Sequence, residues 1–246
     1  MQYRWYCDEL EVEGARFVEA ARRAHDVAVP SCPGWRVSDL LAHVGFVHRW
    51  SEYLVRHRAL TRPSVRDMAL SRGPVTPDWL SEGVNALLAT LRASNPDDAM
   101  WAWGADQHVR FWARRQLHET LVHRVDLEGA MGVASVIDAE VAADAIDEFL
   151  ANLERAGDFS PGVKNLVGSG EIITFRTYEG RQWCARLHPE GFEFVDSSAS
   201  SAATLSGTAG ELLLVLYRRR TLEATACVCE GDHDVLERWL SHSALM

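Results

Sequence analysis

Lysine is nearly absent from this chain: 24 of its 25 basic residues are arginine, and Lys164 is the exception. Basic residues are also in the minority, 25 against 35 acidic ones, leaving a formal charge of −10. That balance disfavours nucleic acid or an anionic membrane as partner, because binding phosphate needs a basic surface. Apolar runs are short. None approaches the roughly 20 residues of a membrane span, and Met1 to Asp8 lead into a charged amphipathic helix with no secretory signal pattern. Cysteine is sparse, odd in number and scattered (Cys7, Cys32, Cys184, Cys227, Cys229), with no Cys-x-x-Cys pair. This disfavours a disulfide framework, and a reduced cytoplasmic protein is expected. What remains is an ordinary globular composition, 47% apolar and 24% charged over 246 residues, enough for one large domain or two modest ones.

Two segments with helical periodicity carry the chemistry. The first runs from Asp39 to Trp50 and places His43 in an apolar stripe with Leu40, Val44, Val47 and Leu54, where an unpaired imidazole would cost free energy. The second runs from Arg114 to Asp126. There Glu119 and His123 stand four positions apart, one above the other on a helix face. Trp112, Arg115 and Asp126 follow the same spacing, and Asp126 is close enough to support His123 as a hydrogen-bond acceptor. Two imidazoles and a carboxylate suit a divalent metal with a position left open. The bland alternatives are a satisfied core histidine at 43 and a solvated Glu–His face at 119 and 123. Cys32, beside Pro33 in a loop, reads as a small packing residue before a nucleophile.

Helices are expected at about 8–24, from Ser38 as N-cap, from Thr76-Pro77 to Asn95-Pro96, at about 109–129 and at about 138–156. Residues 61–74, rich in Pro, Arg and Ser, form the candidate substrate-shaping loop. Trp101, Trp103 and Trp112 either line a pocket or, the commoner use of large aromatics, fill a core. Near residues 156–161 the pattern changes to an antiparallel meander: Ile172 to Tyr178, Gln182 to Leu187 and Phe192 to Val195. Thr208-Ala209-Gly210-Glu211 has the form of a capping box, a strand is expected near 224–229, and a last helix from Asp232. The fold expected is therefore α+β, with a helical domain at 1–157 and an α+β domain at 158–246. Arg218, Arg219 and Arg220 end the Thr208 helix, where they complement its dipole.

The segments holding these residues resemble the mycothiol-dependent maleylpyruvate isomerases. Val29-Pro30-Ser31-Cys32-Pro33-Gly34-Trp35-Arg36-Val37-Ser38-Asp39-Leu40-Leu41-Ala42-His43 looks like the approach to that family's second helix. Phe111 to Arg115, followed by His118-Glu119 and His123-Arg124-Val125-Asp126, looks like its second signature, and Ala203 to Leu214 resembles its C-terminal domain. The resemblance covers nearly the whole chain. It implies a DinB-like four-helix bundle followed by a small, sterol-carrier-like α+β domain. It also implies a divalent metal, zinc for preference, held by His43, Glu119 and His123, with mycothiol as thiol cosubstrate. It marks Arg219 as a cation for a small anionic substrate lying between the domains, and Arg115, the rest of the Arg218–Arg220 cluster and the basic 61–74 loop are the other available cations. Isomerisation of, or thiol transfer to, an electrophilic acid is the activity implied. A hydrolase using metal-bound water, or a non-catalytic metal-binding stress or interaction module, is the alternative on the same scaffold. The arginine bias agrees with a GC-rich actinobacterial genome, and a monomer or homodimer is expected.

Overall fold

The computed structural model describes residues 2–64, 68, 74–156, 160–196 and 200–243. Its contacts divide the chain into two units, Met1–Val136 and Ile137–Met246. Among the described residues no helix is long and apolar enough to cross a membrane.

The first unit is built from four helices: α1 (Tyr3–Arg23), α2 (Val37–His57), α3 (Pro77–Ala93) and α4 (Val109–Ala130). Helix α1 packs on α3 and α4, and α2 packs on the same two. The starts of α3 and α2 are set by local chemistry. The Thr76 hydroxyl accepts from Trp79 N at 3.1 Å, with Pro77 at the first helical position. The start of α2 differs from expectation. Arg36, not Ser38, occupies the N-cap, and carboxylates take the first-turn amides: Arg36 N donates to Asp39 Oδ2 and Ser38 N to Asp26 Oδ1, each at 2.9 Å. Ionised acceptors at a helix N-terminus hold those amides better than a hydroxyl does.

Helix α4 is the central element and is buried on nearly its whole circumference. Phe111, Trp112, Leu117, Leu121 and Val125 sit in the core together with Arg115, His118, Thr120, His123, Arg124 and Asp126. Buried polar groups persist only with partners. Arg124 finds Glu13 of α1, Glu128 and the carbonyl of Val136; Thr120 pairs with His48 of α2. Trp112 fills the core, with Trp50 edge-on at 5.1 Å and its indole N–H donating to Trp101 O. Trp101 and Trp103 pack on Trp50, Trp112 and Phe111.

The second unit contains α5 (Ala139–Asn152), a five-stranded sheet, α6 (Ala209–Leu216) and α7 (His233–Ser243). The strands are β1 (Ile172–Thr177), β2 (Gln182–His188), β3 (Gly191–Phe194), β4 (Ala203–Gly207) and β5 (Val228–Gly231), in the order β3-β2-β1-β4-β5. The expected meander is the β1-β2-β3 half. Strand β4 lies parallel to β1 with Phe175 opposite Leu205, and β5 runs antiparallel to β4. The anticipated strand at 224–229 begins only at Val228, after a short 3-10 turn at Leu222–Ala224. Trp239 of α7 is fully buried against Phe175, Phe192 and Phe194. This sheet with its helices makes the molecule an α+β protein.

The expected domain boundary, 157/158, falls within residues 157–159, outside the described residues. Helix α5 groups with the sheet: it packs on α6, Phe149 meets Tyr217 ring to ring at 4.9 Å, and Asp147 accepts from the Trp183 indole at 2.6 Å.

Candidate metal centre

The site lies wholly within the first unit, where α2, α4 and the loop before α2 meet. His43 comes from α2, Glu119 and His123 from successive turns of α4. Two imidazoles approach one carboxylate oxygen: Glu119 Oε1 lies 3.0 Å from His43 Nε2 and 3.3 Å from His123 Nε2. Their ligating atoms all fall within 4.8 Å of one another. The two imidazole rings stand nearly perpendicular, centroids 5.0 Å apart. His43 and Glu119 retain 34% and 21% of their side-chain exposure while His123 keeps 9%, so the cluster opens on one side.

The remaining edges of the trio are held by other side chains. Arg115, one turn before Glu119 and itself buried, donates to Glu119 Oε2 at 3.1 Å. Asp126 accepts from His123 Nδ1 at 2.9 Å, the support expected from its spacing. Charge follows this arrangement. Burial would push Glu119 up, yet the His123 charge, the hydrogen bonds from both imidazoles and Arg115 hold its carboxyl well below the usual carboxylate range. Burial would likewise lower His123, and the Glu119 carboxylate with the Asp126 hydrogen bond keeps its imidazole well above the ordinary range instead.

The residues fit a divalent cation. Ligand atoms about 2.0–2.1 Å from a tetrahedral ion stand about 3.3–3.4 Å apart, close to the observed 3.0 and 3.3 Å. With Nδ1–H of His123 donating to Asp126, Nε2 either carries a second proton toward Glu119 or presents a lone pair to a cation. Two neutral imidazoles and one carboxylate leave one positive charge on a divalent ion, with a coordination position to spare.

Two contributors could not be read from the residues that carry them. Trp35, from the loop before α2, lies with its ring 5.0 Å from His43 and nearly parallel to His123 at 6.3 Å. Ser31 donates to Asp126 Oδ1 at 2.6 Å, and Cys32 Sγ lies 3.5 Å from Asp126 Oδ2. Only the sequence resemblance set this loop beside the α4 signature. Arg219 belongs to the second unit, where its guanidinium donates to the carbonyl of Tyr217, the C-cap of α6, as a cation complementing a helix C-terminus does. Much of the 61–74 loop lies outside the described residues.

Fold and site together define an α+β protein with a two-His, one-Glu cluster in a helical unit. The family model for the mycothiol maleylpyruvate isomerase N-terminal domain matches residues 7–128, and that for the corresponding C-terminal domain matches residues 137–238. The chain belongs to the mycothiol-dependent maleylpyruvate isomerase family. Its fold is similar to the crystal structure of the mycothiol-dependent maleylpyruvate isomerase, at 12% identity and a TM-score of 0.57 over 92% of this chain and 93% of that one. A histidine-to-alanine mutant of that enzyme matches at 13% identity and a TM-score of 0.56, with the same coverage. No curated protein matches at a significant level.

Proposed function

We propose that this chain is an enzyme that activates a low-molecular-weight thiol, mycothiol, at a divalent metal, zinc for preference, held by His43, Glu119 and His123. The thiol serves isomerisation of, or transfer to, a small electrophilic acid of the maleylpyruvate kind. The observation that carries the reading is the convergence of His43 Nε2 and His123 Nε2 on the single oxygen Oε1 of Glu119. Family membership supplies the thiol and the substrate class.

When bound, the ion supplies positive charge that stabilises a thiolate at neutral pH, where the free thiol is a poor nucleophile. The protein's side chains prepare that place. Asp126 accepts the Nδ1–H of His123 and so holds the tautomer whose Nε2 lone pair faces the cluster. Arg115 occupies Glu119 Oε2 and turns Oε1 toward the imidazoles. Trp35 walls the histidine pair with an apolar ring. For isomerisation, the thiol sulfur bonds to one carbon of a conjugated cis double bond, the resulting single bond rotates, and elimination restores the double bond as trans and releases the thiol. For transfer, the conjugate departs with the sulfur attached. Arg219 is the residue we assign to the anionic end of the substrate, on the strength of the family resemblance.

The test is turnover of maleylpyruvate by zinc-loaded and by chelated protein, with and without mycothiol, alongside the visible spectrum of the cobalt-substituted protein. Mycothiol-dependent turnover and a thiolate-induced spectral change support the reading. Turnover that ignores mycothiol while requiring metal would put water in the thiol's place.

A further inference from the structure

The Asp126 side chain is fully buried, and its two oxygens are held from the helix and from the loop before α2. Oδ2 accepts from Nδ1 of His123 on the same helix at 2.9 Å, and more distantly from Cys32 Sγ of the loop at 3.5 Å. Oδ1 accepts from the Ser31 hydroxyl, 95 positions away in sequence, at 2.6 Å. A carboxylate three residues after its histidine can turn about its own side-chain torsions, so α4 alone leaves the direction of the Nδ1 bond open. A donor from a separate segment removes that freedom.

The loop carrying Ser31 is itself well defined. Val29 N donates to Trp35 O, Cys32 N to Val29 O and Trp35 N to Cys32 O, all at 2.9–3.0 Å, and Ala28 bridges to Arg36 across its base. Gly34 takes the φ of +85° that closes the second turn. Val29 at its base is buried in the core of the helical unit beside Leu40, Val44 and Leu127. The same loop sets Trp35 against the face of the His123 ring. It therefore bears on that imidazole twice, at its edge through Asp126 and alongside its plane through Trp35, whose ring lies nearly parallel at 6.3 Å.

We propose that Ser31 is a positioning residue of the metal centre. Through Asp126, its hydroxyl fixes the tautomer and ring plane of His123, and with them the affinity of the His43–Glu119–His123 trio for a divalent cation. The proposal rests on the reading that this trio holds a metal and extends it to a residue that touches neither metal nor ligand. Carboxylates that orient a ligating histidine typically govern 10- to 100-fold in metal affinity, and the group that fixes the carboxylate shares in that effect.

Zinc affinity is measured by competition with a chromophoric chelator, and the cobalt d–d spectrum is recorded, for the parent, Ser31→Ala and Ser31→Thr, with circular dichroism to verify folding. Ser31→Ala is expected to weaken zinc binding by about tenfold and to shift the cobalt band. Ser31→Thr, which keeps the hydroxyl, is expected to stay near the parent in both. A folded Ser31→Ala protein with the parent's affinity and spectrum overturns the positioning role while leaving the metal centre intact. A Ser31→Thr protein about tenfold weaker than the parent overturns it as well, whether or not the Ala variant folds. A parent that binds no zinc overturns the metal-centre reading, and this proposal with it.

Discussion

Asp126 lies one turn beyond His123 on α4 and accepts its Nδ1 proton at 2.9 Å, which aims Nε2 at Glu119 Oε1, 3.3 Å away. One helix thus supplies a ligand and the group that orients it. A strand could not do so, since residues three apart point to opposite faces.

Replacing His43, Glu119 or His123 singly with Ala is therefore expected to lower metal occupancy sharply with the helical signal kept. Asp126→Asn is expected to weaken binding by roughly 10- to 100-fold, because a side-chain amide can present a donor where His123 needs an acceptor. Elemental analysis after gel filtration and chelator competition check both. A triple Ala variant that still loads fully would end the metal reading.

The two arginines separate by what each touches. Arg115 bonds Glu119, so Arg115→Ala is expected to reduce metal affinity. Arg219→Ala is expected to raise KM or lower kcat with metal content unchanged. Steady-state kinetics beside metal analysis distinguishes them, and an Arg219→Ala enzyme with the parent's constants would remove Arg219 from the substrate site.

Glu119 and His123 were legible together because helical periodicity is local: four positions on one helix fix a shared face. His43 was legible as a polar residue in an apolar stripe, though not from spacing, which says nothing of a partner 76 positions away. Ser31 and Trp35 were not legible as parts of the site, because loop side chains carry no periodicity and their partners on α4, Asp126 and His123, lie far downstream. Strand β4 escaped for a similar reason. Apart from Leu205 its residues Ala203–Gly207 are small, and its parallel partner β1 lies 30 residues earlier with another hairpin between. The grouping of α5 with the sheet was hidden too, since an amphipathic helix shows that it has an apolar face but not which unit covers it.

Gly45 is a position where packing near the site tolerates no side chain. A Cβ there would lie 1.9 Å from the Trp79 ring of α3, which Arg49, one turn on from Gly45 in α2, also holds, with its guanidinium 3.8 Å from the ring centroid and Nη2 donating to Trp79 O. Gly45→Ala is expected to cost about 1–3 kcal/mol despite Ala's better helix propensity. For a chain of this length each kcal/mol lowers Tm by about 2–4 °C. A variant melting at or above the parent would show that Trp79 moves aside freely.

His48 supplies a pH signature. It is buried on α2, its Nε2 meets Thr120 Oγ1 at 2.9 Å, and among the described residues Nδ1 has no partner. The Thr120 hydroxyl already donates to Gln116 O, so the Nε2–H of a neutral His48 is the donor. Burial pushes this imidazole down to about 4; Glu119 opposes the shift, and Arg49, His43 and His123 reinforce it. Between about pH 6.5 and 4 the unfolded chain therefore binds a proton that the folded one refuses, and stability falls as pH falls through that window. The loss attributable to His48 is about 2 kcal/mol between pH 7.5 and 5. His48→Gln keeps a donor for Thr120 and cannot titrate. Urea unfolding of parent and variant across this range is expected to show a shallower acid decline in the variant, by about that amount. Parallel declines would show that His48 takes up its proton in the folded protein as readily as in the unfolded chain.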